Sequence, residues 1–144
     1  TWVKNRAELI SWSGNTFGEN FSSTTFSRHL TRGDISAFSF TDSTQKLISY
    51  GEVVIKNPTT ASICRIIVNP EFRGQGLGAL FCETLIKHIK SKKTVRTISL
   101  NTLATNKQAI ACYQKLGFQV IAKKRSSIKV GTQYLNTVIM EKTI

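Results

Sequence analysis

Residues 61–81, ASICRIIVNPEFRGQGLGALF, constrain the fold more than any other stretch of the chain. The near-continuous apolar run at 61–68 suits a strand buried on both faces. After Asn69 and Pro70 the hydrophobic period changes, and Leu77, Leu80, Phe81, Leu85 and Ile89 recur at helical spacing. Between strand and helix lies the turn Arg73, Gly74, Gln75, Gly76, Leu77, Gly78. A strand, a glycine turn and a helix in that order predict a crossover unit, with chemistry at the carboxyl end of the strand.

That turn is suited to an anion. The first four N–H groups of a helix lack internal partners, and the macrodipole adds about half a positive charge there. Glycines let a pyrophosphate approach those groups, and Arg73 adds a cation. The segment lacks the Lys-Ser/Thr ending of a triphosphate-binding loop. It also departs from G-x-G-x-x-G, because the third position falls on Ala79 counted from Gly74 and on Phe81 counted from Gly76. The competing reading is a turn whose glycines only permit close packing of helix on sheet.

The flanking sequence predicts an α+β, or mixed α/β layered, architecture in a single domain spanning residues 1–144. Trp2, Ala7, Leu9, Ile10 and Trp12 mark a first helix that ends near Trp12, where Ser11, Ser13, Gly14 and Asn15 break the pattern. A second helix over 22–31 carries Phe26 and Leu30. Strands follow at 35–42 and 46–57, joined by the turn TDSTQ, and again at 96–100. A helix over 105–116 and strands at 117–122 and 132–141 complete the chain.

Composition narrows the partners. The longest apolar runs fall short of the roughly 18 residues needed to span a bilayer, so no membrane segment is expected. The opening TWVKNRAELI does not resemble a secretory signal. Cys64, Cys82 and Cys112 cannot all pair and fit neither a C-x-x-C nor a zinc spacing, which predicts a reduced, cytoplasmic setting and no metal site. Twenty Lys and Arg against 8 Asp and Glu give a net charge of +12. That balance favours phosphorylated cofactors, acidic proteins or nucleic acid. No interleaved aromatic and basic motif supports the last of these.

A second motif lies in LATNKQAIACYQKLGF, residues 103–118. Thr105 and Gln108 form a T-x-x-Q capping box that places Asn106 in the first helical turn, and Gly117 matches the helix-ending position. Ala109, Ile110, Tyr113 and Leu116 share one helical face, so Tyr113 points inward or toward a cleft. With a reference pKa of about 10, its hydroxyl stays protonated at neutral pH and can act as an acid.

Together, V-N-P-E-F-R-G-Q-G-L-G and, about thirty residues later, N-x-x-A-I-x-x-Y-x-x-L-G-F resemble the GNAT acetyltransferase superfamily. The resemblance covers about residues 46–142, and the first helix with its WSG segment at 12–14 looks like a bacterial subgroup of uncharacterised substrate. It implies a central, mostly antiparallel sheet splayed at its middle strands, and acetyl-CoA as acetyl donor. It further implies that Arg73, Gly74, Gln75, Gly76, Leu77 and Gly78 hold the pyrophosphate and that Asn106 contacts the pantetheine arm. Ile66, Ile67 and Val68 would offer backbone groups to the pantetheine and thioester, and Tyr113 would protonate the departing thiolate. The family fold usually begins with a strand before the first helix. Here that strand is expected to be missing, and assembly as a homodimer could compensate.

The expected reaction is direct attack of a primary amine on the thioester in a ternary complex, with the Val68 N–H stabilising the oxyanion. The base is the weak point. Asn101 stands where some peptide amino-terminal acetyltransferases of the superfamily look to carry a glutamate, and Glu52 is the best remaining carboxylate. Deprotonating a lysine amine near neutral pH costs about 4 kcal/mol, an α-amine less than about 1 kcal/mol, so a weak base favours the α-amine. His29 and His88 are assigned to structure or surface, and Cys112 has no evident activating base. Three alternatives stay open: a small amine or polyamine acceptor, a non-catalytic acyl-CoA sensor, and a basic nucleic-acid-binding protein.

Overall fold

The computed structural model describes residues 2–18 and 21–144. In chain order the elements are α1 (Arg6–Ser13), α2 (Ser23–Leu30), β1 (Ile35–Thr41), β2 (Leu47–Asn57), β3 (Thr60–Val68), α3 (Leu77–Ser91), β4 (Thr97–Leu103), α4 (Lys107–Lys115), β5 (Gln119–Val130) and β6 (Gln133–Thr143). A single 3-10 turn, Pro70–Phe72, leads from β3 to the glycine loop.

Local chemistry sets the short helices. The Asn5 side chain accepts from Glu8 N–H to start α1, and Gly14 N–H donates to Ile10 O to end it. Ser22 and Thr25 exchange bonds as a capping box at the head of α2.

The six strands form one sheet in the order β1-β2-β3-β4-β6-β5, antiparallel except where β3 meets β4. That parallel pair is joined by α3, which is the expected crossover. It is also short. Only Thr60, Ala61 and Ser62 pair with Thr97, Ile98 and Ser99. Beyond Ser62, β3 stays paired with β2 as far as Val68, while β4 stays paired with β6 as far as Leu103. The sheet therefore splits into two wings that diverge from a common base.

A bulge sits at the split. Tyr50 pairs with Ile67 but Glu52 pairs with Cys64, so β3 holds an extra residue there. Arg65 absorbs it with a left-handed φ of 51°. The split also revises the expectation that 61–68 is buried on both faces. Ala61, Ser62 and Ile63 are buried, whereas Cys64 to Val68 are half-exposed, because no strand covers their open side.

The core lies between the sheet and the α3 side, where Phe81, Leu85 and Ile89 meet Val53, Ile63, Ile98, Phe118 and Met140. On the opposite face α1 buries Leu9 and Ile10. Among the described residues no helix is long and apolar enough to cross a membrane, and Cys64, Cys82 and Cys112 are free thiols.

Two further expectations need correction. The cap of α4 is Asn106 rather than Thr105: Asn106 Oδ1 accepts from Ala109 N–H at 3.2 Å. Strand β5 does not stop at residue 122 but runs to Val130. It passes through an irregularity between Lys124 and Ile128, where Ser126 takes a φ of 48° and its N–H is captured by Asn136 Oδ1 at 2.8 Å.

Candidate functional site

The divergence of β3 from β4 opens a cleft of about 650 Å³ above the sheet base. Its walls include Ile66, Ile67 and Val68 of β3, Arg73, Gly74 and Gly76 of the loop, Leu77 and Gly78 of α3, and Asn106 and Tyr113 from the α4 region. Of the cofactor residues expected from sequence, Gln75 alone does not line it.

Backbone direction matters at the β3 wall. Asn69 N–H donates to Ile48 O on β2 at 2.8 Å. Successive N–H groups of a strand alternate in direction, so Val68 N–H faces the gap rather than β2. Its carbonyl faces the same way and accepts from Arg73 Nε at 3.0 Å. That bond tethers the Arg73 guanidinium to the rim.

Gly74 and Gly76 both adopt a φ of 76°, which side-chain-bearing residues rarely reach, and a Cβ at either would meet nothing within 4 Å. Gly76 is the N-cap of α3 and offers no side-chain cap bond. The leading amides of a 15-residue helix are thus left to a ligand. Uncapped amides, a fixed arginine and open space around two glycines fit a pyrophosphate.

Across the cleft, Tyr113 packs its ring edge-on against Phe118, with centroids 6.2 Å apart. Burial, reinforced by the neighbouring Cys82 and Cys112, raises its hydroxyl pKa well above the ordinary value of 10. The group is therefore a held proton at any physiological pH. Burial also pushes the Cys82 thiol up to about 12 and raises Cys112, so neither is a ready nucleophile.

Glu52, expected as a base, is placed elsewhere. Its side chain is 0 % exposed and lines none of the clefts described here. Oε2 accepts from Arg65 Nε at 2.6 Å and lies 2.9 Å from His29 Nε2, while Oε1 accepts from the Tyr50 hydroxyl at 2.7 Å. Arg65 Nη2 closes a second ion-pair contact. Burial pushes this carboxyl up, but the bonds from Arg65, His29 and Tyr50 together hold it below its ordinary value. Its oxygens face protein partners, and a carboxylate so held is a poor proton acceptor.

A second cavity, about 530 Å³, opens on the α1 side of the same split. Ser11 and Trp12 line both cavities, so the two meet at α1. Asn101 lines the second, with Ser99 on β4 and Ile128 on β5. Trp12 sits in an aromatic group with Phe17, Phe21, Phe26 and Tyr50, and donates Nε1–H to Arg65 O at 2.7 Å. Sequence reasoning did not assign roles to Trp12 or Arg65, since their bond spans 53 positions and no local pattern announces it. It also passed over Glu8, the one carboxylate among the described residues lining either cavity. Glu8 Oε2 accepts from Lys4 N–H at 2.8 Å.

Comparison with known proteins agrees with this geometry. Residues 6–118 match the acetyltransferase (GNAT) family. The chain is 32% identical over 125 residues to the [Ribosomal protein bS18]-alanine N-acetyltransferase of Escherichia coli K12, covering 86% of this chain and 75% of that protein. The crystal structure of the ribosomal-protein-S18-alanine N-acetyltransferase from Escherichia coli superimposes with a TM-score of 0.76 at 22% identity, over 99% of this chain and 91% of that one. The spermidine N-acetyltransferase from Vibrio cholerae, solved in complex with CoA and spermine, superimposes with a TM-score of 0.81 at 19% identity, over 98% and 85%. At those identities the two structures establish a shared fold.

Proposed function

The chain belongs to the acetyltransferase (GNAT) family and is an acetyl-CoA-dependent N-acetyltransferase, and on that premise we propose that its acceptor is the α-amino group at a polypeptide amino terminus. The observation that carries the reading is the shared cleft. The outward Val68 N–H, the Tyr113 side chain and the uncapped start of α3 all face one space opened by the split sheet.

Each group has a task in this reading. The α3 amides and Arg73 would hold the pyrophosphate, and Asn106, whose Oδ1 caps α4, lines the cleft where it would contact the pantetheine arm. Acetyl-CoA supplies a thioester whose carbonyl carbon the amine attacks. Val68 N–H donates to the oxygen on which negative charge develops, which is worth the most in a site shielded from water. Tyr113 passes its proton to the leaving thiolate. No strong base is needed: Asn101 cannot take a proton and Glu52 is held by Arg65, so the proton shed by the attacking nitrogen passes to solvent or to Glu8, the one carboxylate lining the cleft among the described residues. Near neutral pH an α-amine of pKa about 8 is roughly a tenth to a quarter unprotonated, whereas a lysine amine near 10.4 is about a thousandth so. The curated relative from Escherichia coli, named for alanine acetylation, supports the same acceptor chemistry. Three unpaired thiols suit a reducing, cytoplasmic setting, and we take residues 1–144 as one catalytic domain.

The test supplies acetyl-CoA with three acceptors: a peptide with a free amino terminus, the same peptide blocked there but carrying lysine, and spermidine. Release of CoA thiol and product mass are followed together. Turnover confined to the free amino terminus is expected. Faster turnover of lysine or spermidine would overturn the proposal.

A further inference from the structure

From the charges around the α1-side cavity, we infer that this enzyme selects acidic peptides, reading carboxylates within the first few residues with Lys124 at the cavity mouth. The inference rests on the α-amine reading above and specifies the acceptor further.

The cavity is lined by three cations, Lys56, Arg65 and Lys124, and by no Asp or Glu. Arg65 is already neutralised by Glu52, so the two lysines set its charge. Asp34, the acid that interacts with Lys56, itself accepts from Arg32 Nη2 at 2.6 Å and Arg32 Nε at 3.0 Å. Glu141 stands opposite Ser99 in the register, at the closed base of the split, and does not line the cavity.

The β5–β6 arm extends this field. Lys123, Lys124, Arg125 and Lys129 lie on β5, and no Asp or Glu occurs from residue 119 to residue 140. Alternation along the strand turns Lys124 into the cavity, while Lys123 and Arg125 line a groove on the other face. Lys124 pairs with Thr137, which pairs with Leu103, the last residue of β4. It therefore stands at the open end of the split, not at its base.

Spacing fixes which acceptor residues meet it. Strands lie about 4.8 Å apart, so β5 stands about 12 Å from the gap between β3 and β4 where the amine must react. An extended peptide advances about 3.3–3.6 Å per residue beyond its first, so its fourth residue comes opposite Lys124 and the reach of the lysine side chain brings the third within its field. A polycationic acceptor would meet lysines there with no carboxylate to receive it.

The experiment measures kcat/KM with acetyl-CoA for alanine-initiated hexapeptides carrying Asp, Ser or Lys at positions 2–4, with free glutamate as a small acidic amine. At low salt the acidic peptide should exceed the neutral one by roughly tenfold and the basic one by more, and the gap should shrink to roughly twofold in concentrated salt. In Lys124→Glu the acidic preference should disappear, and Lys124→Ala should fall between. Equal rates across the panel, preference for the basic peptide, or a ranking unchanged in Lys124→Glu would overturn the inference. Free glutamate outpacing every peptide would do the same. Turnover of peptides without charge ranking sinks this inference alone, whereas no turnover of any peptide by protein that binds acetyl-CoA sinks the α-amine reading with it.

Discussion

Trp12 donates its indole N–H to the carbonyl of Arg65 across 2.7 Å, and Arg65 is the residue whose left-handed backbone carries the bulge where β3 leaves β4. One hydrogen bond thus ties α1 to the backbone that opens the cleft. The same arginine reaches back to Glu52 and, through Nη1, to Thr16 Oγ1 at 3.1 Å. Helix, bulge and strand β2 are locked at a single point, and Ile66 to Val68 inherit their direction from it.

Trp12→Phe keeps an aromatic ring in the cluster but removes the N–H. The partly buried carbonyl of Arg65 then loses its partner, which should cost about 1 kcal/mol in urea unfolding. Because the bond fixes the β3 wall, kcat should fall by roughly fivefold to tenfold, the change that a similar energy would make in a transition-state contact. A variant with wild-type kcat and reduced stability would assign the bond to folding alone.

Glu52→Gln tests the buried ion pair. Removing one partner of such a pair leaves an uncompensated charge, and a loss of about 3–5 kcal/mol in unfolding free energy is expected. The folded carboxyl lies below its ordinary value of 4.5, so its contribution is present above that pH and lost as pH falls through the depressed value. Urea midpoints measured from neutral pH downward should therefore drop below about pH 4.5 in the wild type, and Glu52→Gln should show a shallower drop. Parallel curves would mean that Glu52 is not the group responsible.

Tyr113→Phe should lower kcat by roughly 10²–10⁴-fold and leave acetyl-CoA affinity nearly unchanged, as removal of a general acid would. Burial raises this hydroxyl above the ordinary 10, so deprotonation of Tyr113 should not slow the wild type as pH approaches that value. A KM effect with intact kcat would reassign the residue to packing against Phe118.

The parts of this site legible in the sequence are those written locally. The period change after Pro70 and the glycines at 74 and 76 mark a helix start, and the spacing of Ala109, Ile110 and Tyr113 marks a face. Thr105 and Asn106 are adjacent and both capping residue types, so the sequence alone leaves the cap of α4 ambiguous, and only backbone geometry decides for Asn106. Strand β5 read as ending at 122 because KKRSS carries no apolar alternation; its continuation depends on Asn136 from the facing strand. Glu52 looked available because its partners His29 and Arg65 lie 23 and 13 positions away. Long-range polar contacts leave no period in a sequence, and they determined which carboxylate is usable.

Calorimetric titration with acetyl-CoA probes the anion site at the head of α3, comparing the wild type with Gly76→Glu, which puts a carboxylate and a strained φ there. One site of roughly micromolar affinity, about −8 kcal/mol, is expected in the wild type. A Gly76→Glu variant with an unchanged circular dichroism spectrum should lose that site, and S-acetylpantetheine, which lacks the pyrophosphate, should bind the wild type far more weakly. A folded wild-type protein that takes up no acetyl-CoA, or a variant that binds it equally well, would rule out the pyrophosphate site at the head of α3.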